Sequence, residues 1–371
     1  GGVLTRLHEV LPEHVQAKER RDREWSGFFK KWGGVQELGR QRTCNEHCRD
    51  ELHGLLRRGV PTAFRAEVWM QLSGAREAQQ MSAPEEFQRA VESDIPASVE
   101  CDIRKDLDRT FPDNVHFMTQ EFQERLYRIL RGVAATVPAV GYCQSMNMIG
   151  AACLLVMDEE DSFWLMRTLL QSRKLPPGYY SGRMEAAQTD FNVLDLMVTR
   201  FCPRFRQFLD HTNLPTAFFS QPWFLTMMLD SLPTETCFRL WDVYVEHPFT
   251  ALFNGALFMV ASCDALLTDV PLSAPSLHLF ITSNLKSIHP DDLANFAANA
   301  PRPRMLLGRL GHFLTSLPGL THRENLHSRS PVHPAMSPIG LDTLSQLRLV
   351  AEQDAAASTT TSTSTHRRSK S

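Results

Sequence analysis

The sequence predicts an all-α fold, and three observations carry that prediction. Apolar residues recur at helical spacing in one segment after another between residues 59 and 317. No run alternates convincingly between apolar and polar residues at period two. No Asn-Gly or Asp-Gly hairpin turn separates two β-branched runs.

The elements follow in chain order. Residues 1–58 are charged and mixed, but Trp25, Phe28, Phe29 and Trp32 fall at i, i+3, i+4 and i+7. That spacing lines one helical face and predicts a helix docked on the main body rather than a partner site. Residues 121–137 put Phe122, Leu126, Ile129, Leu130 and Val133 on one stripe, then stop before Pro138. Residues 162–171 read as a second apolar helix behind the acidic turn 158–161. Pro233 looks like an N1 proline opening a helix through Phe238 and Trp241. Pro290 opens another, with Asp291 and Asp292 in the first turn, where carboxylates meet the positive end of the helix dipole. Residues 318–339 are rich in Pro, Ser and His and read as a linker. Leu341, Leu344, Leu347 and Leu349 predict one short helix over 341–353, and the Ser/Thr-rich end reads as disordered. The expected organisation is a helical extension over 1–58, a helical domain over 59–317, and a tail over 318–371.

Composition narrows the function classes. The 371 residues carry 39 Lys and Arg against 42 Asp and Glu, a formal net charge of −3. That balance gives no reason to expect nucleic acid or an anionic membrane surface as a partner. Eight cysteines are scattered without CxxC spacing or a visible secretory signal, so reduced intracellular thiols are expected. The longest apolar run, 250–270, contains Asn254 and Asp264, and the run 148–157 is too short to span a bilayer. Both read as core helices of a soluble protein. The chain begins Gly1-Gly2 rather than with Met, which leaves room for an upstream segment. GxxxxGK[ST], strand-borne GxGxxG, HExxH and GxSxG are all missing, which argues against a nucleotide, zinc or acyl site of its own.

Three short segments invite a chemical reading. In GVPTAFRAEVW, Arg65 and Trp69 stand at i, i+4 behind a proline-opened start; a packed Arg–Trp pair is the plain reading. In IRKDLDRTFP, Asp106 and Arg109 stand at i, i+3, with Ile103 and Leu107 on the apolar side. Pro112 ends that helix just after Arg109 and lets the arginine project outwards. The plain alternative is a solvated ion pair worth about 0.3–0.5 kcal/mol. In GYCQSMN, Gln144 sits at a loop-to-helix junction. Its amide suits orienting a water, and capping the next helix is an equal alternative.

Together, GVP…RxxxW, IxxDxxRTFP and GYxQ…MN resemble the signature motifs of the TBC domain, the catalytic domain of Rab GTPase-activating proteins. SFW at 162–164, PGYYS at 177–181, Trp223-Phe224 and LPTETCFRLWDV at 232–243 follow in family order, so the resemblance spans about 59–317. The resemblance implies that Arg109 is an arginine finger and Gln144 a glutamine finger, both supplied in trans to a Rab-family small GTPase in its GTP-bound state. GTP and Mg²⁺ then come with the partner, and the chain needs no cofactor or metal of its own. Asp106 would orient Arg109, Tyr142 would help place Gln144, and Arg65 with Trp69 would support the site. A role in vesicle trafficking is implied, from a cytoplasmic location with membrane recruitment only through partners. The alternative is a catalytically inactive helical module that binds a Rab as effector or scaffold. Two departures stand out: Ser145 follows the glutamine where the family usually has Gly, and Pro222 precedes Trp223, which is expected to bend a helix start.

Competing signals are weaker. Cys44, His47, Cys48 and His53 do not match a standard zinc spacing. The acidic turn 158–161 lacks the glycine and spacing of an EF-hand and reads as a solvated turn capping the next helix. The basic end 366–370 reads as a solvated tail.

Overall fold

A computed structural model describes residues 12–298, except 113, 116, 172–177, 181–182 and 268–272. The expected linker, short helix and tail after residue 317 lie outside the described residues, as do Pro177 and Ser181 of the PGYYS segment. The described residues form α-helices and one 3₁₀ turn, with no strand among them.

The N-terminal helices dock as their aromatic spacing predicts. Helix α1 (Pro12–Trp32) buries Trp25, Phe28 and Phe29, and the Trp25 indole donates to the Gly59 carbonyl at 2.8 Å. A 3₁₀ turn (Val35–Glu37) leads into α2 (Leu38–Cys44), and α3 (Glu46–Arg58) follows. The Asn45 side chain caps α3 by accepting from the Cys48 amide, satisfying a donor that the first turn leaves open. Cys48, Leu52, Leu55 and Leu56 form its buried face, and each buried leucine stabilises by roughly 1.5–3 kcal/mol.

The central helices are α4 (Thr62–Ser73), α5 (Ala75–Met81), α6 (Glu86–Glu92), α7 (Ala97–Leu107), α8 (Gln120–Thr136), α9 (Met146–Leu154) and α10 (Glu159–Gln171). Helix α8 matches its predicted stripe, and the Thr119 hydroxyl caps it by accepting from the Phe122 amide. Gly150 lets α9 lie close on α8, since a Cβ there would sit 2.9 Å from Leu126 Cδ1. The acidic residues 159–161 turn out to be the first turn of α10 itself, with Asp158 accepting from the Asp161 amide. Asp161 and Glu159 pair with Arg76 and Arg128.

The C-terminal group is α11 (Glu185–Phe201), α12 (Pro203–Thr212), α13 (Ala217–Leu225), α14 (Thr234–Tyr244), α15 (Pro248–Leu266), α16 (Ala274–Leu285) and α17 (Pro290–Ala298). Two proline expectations need adjustment. Pro233 is the N-cap of α14 rather than its first helical residue, and Pro222 lies inside α13 rather than at a helix start. Helix α15 is the apolar run read from the sequence, packed among α11, α14, α16 and α17 with Asn254 fully buried. No helix among the described residues is long and apolar enough to cross a membrane.

Candidate functional site

The arginine segment begins where α7 stops. Ile103 and Leu107 anchor α7 in the core, and the helix ends at Leu107, two residues earlier than its sequence pattern suggests. Pro112 bars Phe111 from helical angles, and Phe111 takes a left-handed φ of 47° instead. The helix thus ends before Arg109, yet Arg109 keeps the i, i+3 pairing with Asp106 that the spacing implies. The Arg109 side chain is 54% exposed, whereas that of Asp106 is only 3% exposed. This is not the solvated surface pair of the plain reading, because the carboxylate lies inside the protein.

Asp106 joins two segments. Its Oδ1 accepts from Arg109 Nε at 2.7 Å and also pairs with an Arg109 terminal nitrogen. Its Oδ2 accepts from the Tyr142 hydroxyl at 2.5 Å. Burial, reinforced by the hydrogen bond to the Asp106 carboxylate, raises the Tyr142 hydroxyl pKa well above its ordinary value. The phenol therefore remains a donor at neutral pH. Burial likewise raises the neighbouring Cys143 thiol, with Asp106 adding to the effect.

Gln144 is exposed, one residue before the N-cap of α9. Ser145 occupies that N-cap with φ 95° and makes no side-chain capping bond. Positive φ costs a residue with a Cβ roughly 1–2 kcal/mol, so the backbone here has the shape a glycine would adopt. The structure brings Asp106, Arg109 and Tyr142 into one hydrogen-bonded group and presents Gln144 on the Tyr142 segment.

Arg65 and Trp69 belong to a different cluster, built on Asp242 of α14. They are neighbours, with the guanidinium carbon 6.0 Å from the Trp69 ring centroid, but their shared partner is the carboxylate. Asp242 is fully buried and accepts from Arg65 Nε at 3.1 Å, the Trp69 indole at 2.9 Å and the Val60 amide at 2.9 Å. Arg65 also reaches Glu235 at 3.1 and 3.2 Å. Burial alone would lower the Arg65 pKa, but Asp242 and Glu235 outweigh it and raise the value, so the charge is fixed. Arg239, 1% exposed, joins the cluster by donating to Asp242 Oδ2 at 3.5 Å, and it also donates to the Arg57 carbonyl at 3.0 Å and to Asp291 at 2.7 Å. The GVP segment has a matching role: Gly59 makes room for Arg239, Val60 binds Asp242, and Pro61 caps α4. Asp242 and Arg239 received no role from sequence reasoning. The available signal was a carboxylate inside the apolar run 240–245, which must find partners if that helix is buried.

The Cys44–His53 group does not gather. Cys44 is exposed, Cys48 is buried in α3, and a His53 ring nitrogen contacts the Ala298 carbonyl.

Comparison with known proteins identifies the fold. The profile of the Rab-GTPase-TBC domain matches residues 62–267, more than half of the chain. The chain belongs to the Rab-GTPase-TBC domain family. Growth hormone-regulated TBC protein 1 of Homo sapiens is 34% identical over 259 residues, covering 68% of this chain and 73% of that protein. Growth hormone-regulated TBC protein 1-A of Danio rerio is 32% identical over 256 residues, covering 68% of each. The crystal structure of the Chlamydomonas flagellar RabGAP TBC domain aligns with a TM-score of 0.60 and 25% identity, covering 78% of this chain and 96% of that one. Segments 103–112 and 141–147 fall inside the TBC match, as do Arg65, Trp69, Glu235, Arg239 and Asp242.

Proposed function

We propose that the protein is a GTPase-activating protein for a Rab-family small GTPase, completing that GTPase's active site in trans. Arg109 neutralises charge developing on the transferred phosphoryl group, and Gln144 orients the attacking water. GTP and Mg²⁺ belong to the partner, so the protein supplies residues rather than a cofactor and is not itself a hydrolase. It acts in the cytoplasm, on Rab proteins at membrane surfaces, and its own membrane contact is through them.

The observation that carries this reading is the shared carboxylate. Asp106 holds both the Arg109 guanidinium and the Tyr142 hydroxyl, so an exposed cation and an exposed amide emerge from two segments tied to one buried group. Arg109 binds Asp106 through Nε and one terminal nitrogen, which leaves the remaining terminal nitrogen for phosphate oxygens. Preorganised charge of this kind needs little rearrangement during reaction. An arginine finger accelerates GTP hydrolysis by about 10³–10⁵-fold, equivalent to about 4–7 kcal/mol of barrier.

A binding-only reading draws on Ser145, whose strained φ could hold Gln144 away from the attacking water. Hydrolysis by a panel of GTP-loaded Rab proteins, with GTP-dependent binding measured in parallel, separates the two. Acceleration of at least one Rab supports activation. Binding without acceleration selects the effector role, and the absence of both contradicts each.

A further inference from the structure

Two buried polar residues join the backbones beside the proposed fingers. Asn147, in the first turn of α9, is 5% exposed, and Thr110, the residue after Arg109, is 1% exposed. Asn147 Oδ1 accepts from the backbone N–H of Ser145, the residue after Gln144, at 3.2 Å. Asn147 Nδ2 donates to Thr110 Oγ1 at 2.8 Å. The Thr110 hydroxyl in turn donates to the Asp106 carbonyl at 2.6 Å.

The donor and acceptor roles are fixed by elimination. The Ser145 amide can only donate, so the Asn147 atom facing it is the oxygen. The amide nitrogen then faces Thr110, whose single proton is engaged by a carbonyl. A flipped amide would set N–H against N–H in the interior, leaving a buried donor unsatisfied.

We infer that Asn147 and Thr110 are positioning residues whose bridge sets the spacing between the Arg109 and Gln144 segments. The inference rests on the activating role proposed above. It assigns work that the Asp106 carboxylate does not perform: the carboxylate holds the side chains of Arg109 and Tyr142, whereas the amide bridge runs from the Ser145 main chain to the Thr110 hydroxyl and, directly at 3.5 Å and through that hydroxyl, to the Asp106 carbonyl. A buried amide satisfied at both ends is a stiff spacer, and losing either end leaves the other segment free to shift.

The test uses Thr110→Val, which keeps the volume and removes the hydroxyl, and Thr110→Ser, which keeps the hydroxyl. Single-turnover GTP hydrolysis is measured on a responsive Rab over a range of activator concentrations, so that kcat and KM separate. Native-state hydrogen exchange at the Ser145 amide is measured on the same full-length chains. Thr110→Val is expected to lower kcat about 10–100-fold with KM little changed, the penalty of misplacing catalytic groups by about 1 Å. Thr110→Ser is expected to recover kcat to within about threefold of the unaltered chain. Exchange at Ser145 is expected to rise in Thr110→Val, although the substitution lies on the other segment. If Thr110→Val does not fold by circular dichroism, Thr110→Ala carries the same comparison. An unchanged kcat, a loss confined to KM, or a Thr110→Ser variant no better than Thr110→Val would overturn the inference. Unchanged exchange at Ser145 overturns the bridge whether or not the chain is active, whereas an unaltered chain inert on every Rab overturns the activating role itself.

Discussion

Replacing Gly59 with Ala tests how firmly the GVP segment is tied to the buried cluster. A Cβ at this position would sit 2.6 Å from Arg239 Nε and closer still to Nη1 and Cζ, where real Cβ atoms are essentially never found. Gly59 also has φ +94°, so any L side chain adds roughly 1–2 kcal/mol of backbone strain. The restricted unfolded chain returns about 0.4–1 kcal/mol of that. The larger effect is on Arg239, which is 1% exposed and has no room to retreat without leaving Asp291 and the Arg57 carbonyl. The Nη1 that the Cβ would displace also pairs with fully buried Asp242 at 3.5 Å, and disrupting a buried ion pair costs about 3–5 kcal/mol. The sum, about 4–6 kcal/mol, is comparable with the whole stability of many domains. Urea unfolding followed by circular dichroism reads it directly, as a large drop in midpoint or failure to fold. Because truncating Arg239 opens the space, Gly59→Ala combined with Arg239→Ala should cost less than the two single changes added. A Gly59→Ala protein within about 1 kcal/mol of the unaltered chain would refute the account of this contact.

Three further outcomes follow from the site and the core. Tyr142→Phe removes a donor to buried Asp106; hydrogen bonds to charged groups are worth about 1.5–3 kcal/mol, so activation should fall about tenfold or more, and an unchanged rate contradicts the link. Ser145→Gly relieves the strain at φ 95° and should raise the urea midpoint by the equivalent of about 0.5–1 kcal/mol without loss of activation; a lower midpoint contradicts the strain. Native thiol titration should find only Cys44 and Cys101 reactive, because the other six are buried and burial pushes Cys153 and Cys263 up to about 12. Rapid reaction of a third thiol before denaturant is added counts against that burial.

The helices and half of the site were legible because their signals are local. The stripe from Phe122 to Val133 lies within one helix, and Asp106 and Arg109 are three residues apart. The docking of α1 could be read from four aromatics at helical spacing. What periodicity could not give was long-range pairing. Arg65 finds Asp242 across 177 positions, and a pattern confined to one helix cannot name a partner on another. The burial of Asp106 was hidden for the same reason: Tyr142 reaches it from 36 positions away, so the carboxylate lies inside while Arg109 stays exposed. The end of α7 was read too late, because Pro112 restricts only Phe111, while the turn that accommodates it starts before Arg109. Ser145 was legible in part. The sequence marks it only as a departure from the family's usual glycine, and the structure shows the serine holding φ 95°, an angle that glycine adopts without cost.

The central claim, that Arg109 and Gln144 both act on the partner's GTP, is tested most directly by single-turnover hydrolysis with Arg109→Ala and Gln144→Ala. The Rab is one that the unaltered chain accelerates, and binding to its GTP-loaded form is measured on the same samples. The two-finger account predicts that Arg109→Ala loses about 10³-fold or more of the acceleration and that Gln144→Ala is also severely slowed. Both variants should keep their helical circular dichroism and their binding to the GTP-loaded Rab. Acceleration that survives either substitution would contradict the account.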